Sequence, residues 1–242
     1  MVISLLEKRV IIDIDTIQKN KRLHDFQIVI QQIGRDKDNC QGARAVIDGI
    51  NNHLLFIAYR SSNISVFYLN TFQFIKHDTL PTDDWTFYHW QEIIKINEEK
   101  KKKRNYEMLL FCQKMGLSIE YGEDNNTFQF HQIPVCDNIA QSHSYAYVYV
   151  NDAILFFGGC NGSIICEIFS KSVHKYSIRE NKWIIFQNTL PSPLCGCVAI
   201  LSEDNTYVHI IGGWDWKIFL STHMKTKVSE WLSEEEMTIQ MQ

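Results

Sequence analysis

Proline and glycine are scarce in this chain, with four prolines and eleven glycines among 242 residues. No uninterrupted apolar run approaches the roughly 20 residues that a membrane-spanning helix needs. Glu7-Lys8-Arg9 also follow the first apolar residues too soon for a secretory signal. The net charge of −4 lacks the excess of Lys and Arg that nucleic-acid surfaces normally carry. We therefore expect a cytoplasmic protein with no membrane partner and no main role in binding nucleic acid.

Neither the cysteines nor the sequence motifs indicate a catalytic or a metal-binding site. The seven cysteines are an odd number and lie mostly in apolar runs, which predicts reduced core thiols. Cys195-Gly196-Cys197 has one intervening residue, whereas structural zinc sites more often use two to four, so we interpret it as strand packing. The nine histidines form no His-Glu-x-x-His pattern, and neither a Gly-x-Ser-x-Gly elbow nor a phosphate-binding Gly-Lys loop occurs. We predict no catalytic, metal-binding or cofactor-binding residue.

Three of the four prolines close a similar phrase of aromatic and β-branched residues. Residues 72–74 lead to Pro81, residues 128–130 to Pro134, and residues 183–186 to Pro191. These prolines are 53 and 57 residues apart. A period of about 50 residues built from strand-forming runs is typical of β-propeller blades. The repeat therefore predicts a propeller.

The clearest repeat unit covers residues 144–191. Asn151-Asp152 separates two β-rich runs, as a two-residue hairpin turn does. Gly158-Gly159 ends the second run, where paired glycines allow positive φ and the close approach of another segment. A polar loop follows. We predict four strands in this unit, at 145–150, 153–157, 173–178 and 183–186.

This unit resembles the kelch repeat: di-glycine after an apolar strand, then Tyr176, then Trp183 seven residues later, then Leu-Pro at Pro191. In that family the aromatic residues pack within and between blades, and the glycines serve close approach near the inner strands. The resemblance implies structural roles for Gly158, Gly159, Tyr176, Trp183 and Pro191.

The other copies keep parts of the same motif. Gly212-Gly213 lies 54 residues after Gly158-Gly159, and Trp231 echoes Trp183. Tyr121 and Phe128 keep the seven-residue spacing, although their copy and the first copy lack the di-glycine. The resemblance extends the structural roles to Gly212, Gly213, Tyr121 and Phe128.

We therefore predict an all-β fold, a β-propeller of four-stranded antiparallel kelch-type blades over residues 40–232. Its copies cover about 40–81, 85–134, 140–191 and 195–232. Four copies are few for a kelch propeller. Either the ring is unusually small, or the N-terminal segment 1–39 adds a degenerate blade, or the propeller is incomplete. An open ring exposes strand edges and invites self-association. The Ser233 to Glu236 capping spacing predicts a short helix in the tail 233–242.

For function we favour a non-catalytic protein–protein interaction module, a scaffold or adaptor with an unidentified protein partner. Its contacts would come from blade-connecting loops such as 160–172 and 213–220. Trp214 and Trp216 are the predicted partner contacts, because Trp is enriched among binding hot spots. The alternative is an enzyme with a metal-dependent site at the propeller axis, since kelch propellers can be copper oxidases. The basic run Lys100 to Arg104 is interpreted as a solvated loop or as a nuclear-import patch.

Overall fold

The fold is described here from a computed structural model. It describes residues 3–6, 9–13, 28–32, 43–59, 62–82, 91–96, 104–112, 115–163, 166–215 and 218–233. These residues are almost entirely β-structure, as the sequence predicts. The two short helical elements are α1 (Asp137–Ala140) and a 3-10 turn (Val228–Glu230). No helix in the described ranges is long and apolar enough to cross a membrane.

The strands run in chain order as follows: β1 (Ile3–Leu6), β2 (Arg9–Asp13), β3 (Ile28–Gln32), β4 (Arg44–Asp48), β5 (Leu54–Tyr59), β6 (Asn63–Tyr68), β7 (Gln73–Thr79), β8 (Gln91–Ile96), β9 (Asn105–Cys112), β10 (Met115–Gly122), β11 (Thr127–Ile133), β12 (Ser142–His143), β13 (Ala146–Val150), β14 (Ala153–Phe157), β15 (Cys160–Ser163), β16 (Cys166–Phe169), β17 (Val173–Ser177), β18 (Lys182–Ile185), β19 (Cys195–Leu201), β20 (Tyr207–Asp215), β21 (Ile218–Phe219) and β22 (His223–Lys227).

The strands form successive antiparallel sheets, and three of them are up-and-down sheets of four strands. Sheet 1 has the order β4-β5-β6-β7, sheet 2 has β8-β9-β10-β11, and sheet 3 has β13-β14-β17-β18. Sheet 4 consists of β19-β20-β22, with β21 paired to the far end of β20. Two three-stranded sheets accompany them, β1-β2-β3 and β12-β15-β16. The predicted fold class, all-β with four-stranded antiparallel sheets, is confirmed.

The chain divides into two compact units. The first comprises residues 1–111 and 117–131, and the second comprises residues 112–116 and 132–242. In the first unit, all six residues of β5 are buried, because side chains on both faces of this strand are covered. Phe56 on one face packs against Tyr121 and Phe128, while the opposite face contributes Leu55 and Ile57 to a separate apolar cluster.

In the second unit, the core lies between sheets 3 and 4. The central strand β14 is buried along its whole length, and its Leu155 and Phe157 are fully inaccessible. From sheet 4, Val208 and Ile210 of β20 join the same cluster, followed by Trp231. Burying one such aliphatic or aromatic side chain contributes about 1.5–3 kcal/mol, so this shared cluster holds the two sheets together.

The last copy differs from its prediction at its end. Trp231, which echoes Trp183 in sequence, lies in no outer strand. It follows the 3-10 turn and is buried against Phe157 and Phe186, at ring-centroid distances of 6.0 and 5.0 Å. The helix predicted in the tail falls on residues 234–242, which lie outside the described residues.

Candidate interaction site

Two repeats share the same aromatic and turn geometry. Tyr176 and Trp183 pair across β17 and β18 with their rings 5.1 Å apart, and Tyr121 and Phe128 have rings 5.0 Å apart. The Tyr176 hydroxyl donates to Oδ1 of Asn181 at 2.6 Å. The Tyr121 hydroxyl likewise donates to Oδ1 of Asn126 at 2.8 Å.

The two asparagines explain why these turns hold their shape. Asn126 and Asn181 have φ of 54° and 53°, a left-handed conformation that Asn tolerates better than most residues. Each tyrosine therefore fixes the turn that leads to its aromatic partner. In both repeats the aromatic motif therefore stabilises the sheet and its turn.

Each di-glycine, Gly158-Gly159 and Gly212-Gly213, begins a segment inserted between two strands of its sheet. Gly158 and Gly212 have φ of 68° and 71°, and Gly159 and Gly213 have φ of 95° and 100°. The Gly158 N–H donates to the carbonyl of Ser172 at 3.0 Å, and the Gly212 N–H donates to that of Thr222 at 2.8 Å. Each of these two bonds closes the base of an inserted segment.

The inserted segments are β-hairpins, which corrects the interpretation of 160–172 as a polar loop. Strands β15 and β16 form the first hairpin, and the end of β20 with β21 forms the second. The carbonyl of Gly159 accepts the Ser170 N–H at 2.9 Å, and that of Gly213 accepts the Leu220 N–H at 2.8 Å. Backbone bonding therefore extends beyond each di-glycine.

A disulfide between Cys160 and Cys195 joins the base of the first hairpin to β19, the strand that pairs with β20 beside the second hairpin. Cys160 pairs with Phe169 in the first hairpin, and Cys195 pairs with Trp214 in the second. The prediction of reduced thiols is therefore wrong for these two cysteines. It failed because the partners are 35 residues apart and become neighbours only through the packing of β15 beside β19. Cys197 is a free, buried thiol whose pKa is raised by burial.

His143 lies beside this disulfide. Its Nδ1 is 3.5 Å from the Cys160 sulfur and 3.1 Å from the Ser144 hydroxyl. Burial lowers the pKa of His143 to about 4, so the ring is neutral near pH 7. A neutral imidazole against a disulfide is compatible with close packing, and it supplies no positive charge that would activate a thiol.

Each of the two hairpins exposes a large apolar side chain. Ile168 is 65% exposed and Phe219 is 92% exposed, values far above those of core residues. The ring of Phe169, which follows Ile168 in β16, packs edge-on against Trp214 with centroids 5.0 Å apart, and Trp214 pairs with Phe219 across β20 and β21. We call these four residues, Ile168, Phe169, Trp214 and Phe219, the hairpin platform. Trp216, the other predicted partner contact, lies outside the described residues.

Sequence reasoning identified Trp214 and missed Phe219 and Ile168. The available signal was weak, since each stands in a short strand of two or four residues without a clear alternation of apolar and polar positions. Pro191, the last motif residue, is exposed and follows the buried Leu190. Of the basic run, only Arg104 is described, and its guanidinium lies 3.2 Å from the carboxylate of Asp124.

The first unit contains a separate polar cluster. The Tyr106 hydroxyl donates to Oε2 of Glu123 at 2.6 Å, and Nε2 of His53 lies 3.0 Å from Oε1 of the same carboxylate. Burial acts to raise the pKa of Glu123, but the hydrogen bonds from Tyr106 and His53 outweigh it and hold this pKa below its usual value. Burial, together with Glu123, also raises the pKa of Tyr106. The cluster joins two turns, after β4 and after β10.

Two other features resemble ligand sites. A cleft of about 360 Å³ lies beside β22, and its polar lining includes Lys225 and Glu230. On the outer face of sheet 4, Nδ1 of His209 is 2.8 Å from Nε2 of His223. Within the described ranges, no three His, Cys, Asp or Glu side chains converge as a metal-binding group.

Comparison with known proteins locates the repeat in this chain. The family model described as "Kelch motif" matches residues 142–188, and no curated protein matches the chain. Among solved structures, the β-propeller domain of Myceliophteria thermophila Cps50 (Swd1) has a TM-score of 0.45 and 11% identity, covering 77% of this chain and 53% of that one. The structure of YjhT has a TM-score of 0.35 and 11% identity, covering 72% of this chain and 34% of that one.

The chain thus spans about half or less of the length of these two structures. The matched segment contains sheet 3 with its di-glycine, its tyrosine and its tryptophan, the residues on which the sequence resemblance depends. Residues 142–188 of this chain therefore match the Kelch motif model.

Proposed function

We propose that this protein is a non-catalytic protein–protein interaction module and that the hairpin platform is its contact surface. The exposure of Phe219 carries the proposal, because this side chain belongs to an aromatic group and exposed apolar groups often mark a binding site. Phe219 pairs with Trp214 across β20 and β21, and the Trp214 ring packs against Phe169, so these two rings would form the centre of such a contact.

The attachment of the platform also suits recognition. Each hairpin is closed at its base by di-glycine hydrogen bonds, and the Cys160–Cys195 disulfide links the first hairpin to β19, which pairs with the base of the second. Such constraints reduce the ordering entropy that binding would otherwise cost. The cytoplasmic location remains a prediction, and this disulfide does not favour it, because disulfides are rare in that compartment.

The proposal is tested with Ile168→Ser/Phe219→Ser in tagged protein. Both side chains are exposed, so the variant should unfold at the same urea concentration as the wild type while losing a partner captured from source-cell lysate. Ile185→Ser is the matched control, because Ile185 is 50% exposed but lies on β18, outside the platform. Equal capture by the platform variant and the control would refute the assignment of this surface.

A further inference from the structure

Sheet 4 differs from its neighbours at one edge. Sheets 1, 2 and 3 each end on a fourth strand, respectively β7, β11 and β18. In sheet 4, β22 pairs with β20 on one side and is followed by the 3-10 turn. Within the ranges that the structure describes, no strand lies along the other side of β22.

The hydrogen bonds of sheet 4 determine which backbone groups face that edge. Gly212 N–H donates to Thr222 at 2.8 Å, and Val228 N–H donates to Thr206 at 2.9 Å. Because antiparallel pairs alternate between bonded and non-bonded, the intervening even-numbered residues of β22 bond to β20. The backbone N–H and C=O groups of His223, Lys225 and Lys227 therefore point to the free edge.

The corresponding edge of sheet 3 shows what fits there. Val173 is the counterpart of His223 in the repeat, and its carbonyl accepts the Phe186 N–H at 3.1 Å. Beyond it, β17 pairs with β18 through four successive residue pairs. The same backbone pattern in β22 is thus suited to an antiparallel strand.

The charge along this edge of β22 determines which kind of partner strand can bind there. The side chains of His223, Lys225 and Lys227 are exposed on one face of β22. Their neighbours on that face of β20 are Tyr207, His209 and Ile211, and the Lys225 ammonium lies 3.6 Å from the ring centroid of Tyr207. None of these six residues is acidic, so this face presents the charges of two lysines; the nearest described acidic side chain is that of Glu230 in the 3-10 turn, which lines a cleft together with Lys225.

We propose that the free edge of β22 binds an extended acidic segment of a partner protein as a fourth strand. The segment would pair its backbone with His223, Lys225 and Lys227 and place carboxylates opposite the two lysines, since opposite charges on facing strands stabilise a pair. A second copy of this chain is a poorer occupant, because antiparallel pairing of β22 with itself opposes its own cations. The inference rests on the proposed interaction role but uses a surface that includes no residue of the hairpin platform.

The test uses a fluorescein-labelled eight-residue peptide that alternates Glu and Val, with a Lys/Val peptide as its charge-reversed counterpart. Binding to the full chain is followed by fluorescence anisotropy at low and at physiological salt. We expect the Glu/Val peptide to bind and its affinity to fall as the salt concentration rises. The Lys/Val peptide should not bind.

Two variants at one position separate backbone pairing from charge. Lys225→Gln removes the charge and keeps the N–H, and it should weaken binding by about threefold, the effect of one exposed ion pair. Lys225→Pro also removes the N–H at the free edge, where proline is tolerated because β20 does not use that group. It should weaken binding about fivefold further, because one strand hydrogen bond is lost.

The urea midpoints of both variants establish that sheet 4 remains folded. Equal affinities of the two variants for the Glu/Val peptide would overturn the proposal, as would absence of binding to the wild type. Loss of binding in Ile168→Ser/Phe219→Ser with retention in Lys225→Pro would likewise overturn it, and would place the acidic segment on the hairpin platform instead.

Discussion

Trp183 donates its indole N–H to the carbonyl oxygen of Pro134 at 2.8 Å. Both residues belong to the repeated phrase, Trp183 to one copy and Pro134 to the end of the copy before it. Trp183 therefore has two roles: its ring packs at a tilt against Tyr176 and Phe156, and its N–H bonds to the preceding repeat.

Trp183→Phe should destabilise the protein by about 1 kcal/mol, the net value of one hydrogen bond, because the ring contacts survive. Phe128, which occupies the same place in the preceding copy without an N–H, shows that a phenyl ring fits this position. Urea denaturation with an unchanged m-value is the measurement. A loss as large as that of Trp183→Ala would contradict this prediction, because it would mean that the phenyl ring preserves none of the stabilising contacts of the indole.

The di-glycines allow a controlled test of close approach. Gly158 and Gly212 have nearly the same φ, so alanine at either costs about 1 kcal/mol of backbone strain. A Cβ at Gly158 would collide with the Leu194 carbonyl oxygen, whereas at Gly212 the nearest atom is 3.9 Å away. Gly158→Ala should therefore lower the free energy of unfolding by at least about 1 kcal/mol more than Gly212→Ala. Equal losses in denaturant titrations would show that conformation alone requires glycine.

The Cys160–Cys195 bond closes a loop over a sequence separation of 35 residues. Its removal in Cys160→Ser/Cys195→Ser should cost about 3–4 kcal/mol, mostly by enlarging the unfolded ensemble. Reductant should lower the urea midpoint of the wild type and of Cys197→Ser but not that of the double variant, because Cys197 is unbonded. A peptide map without reductant provides the direct check, and absence of the linked peptide would contradict the bond.

Glu123 should make stability depend on pH. Its pKa is lower in the folded state than in the unfolded chain, so its contribution is complete above the unfolded pKa, about 4.3. The contribution is then lost as pH falls through the folded value. Glu123→Gln should cost about 1.5 kcal/mol at pH 7, and the difference from wild type should shrink toward acid pH.

Asp124→Asn is the control for that titration. Asp124 is 72% exposed in its pair with Arg104, so its replacement should change stability by less than about 0.5 kcal/mol at any pH. A Glu123→Gln difference that stays constant as pH falls from 7 to well below 4 would mean that the carboxylate charge is not what Tyr106 and His53 stabilise.

The strands of sheet 3 were predictable because local chemistry specifies them. Asn151 and Asp152 both adopt positive φ, as a two-residue hairpin turn requires, and they separate two strands of continuous apolar sequence. Positive φ at Asn181 does the same for the following turn. Here the residue types at the turns and the apolar runs between them indicate the same structure.

The hairpin platform was only partly predictable because its contacts are non-local. Phe169 and Trp214 come from different hairpins, and Cys160 meets Cys195 only after sheets 3 and 4 have packed. In the sequence, Trp231 echoes Trp183, which lies in the outer strand β18 of sheet 3. Instead, burial against Phe157 and Phe186 takes this tryptophan out of the outer-strand position.

The two hairpins differ in length but are closed at the base by equivalent di-glycine hydrogen bonds. The segment between Gly212 and Thr222 is four residues shorter than that between Gly158 and Ser172, yet equivalent hydrogen bonds close both. The length and the sequence of the hairpin that follows each di-glycine can therefore vary without altering the strands of the sheet from which it projects. Each hairpin can in this sense be replaced by one that carries different binding residues while the supporting sheet stays the same.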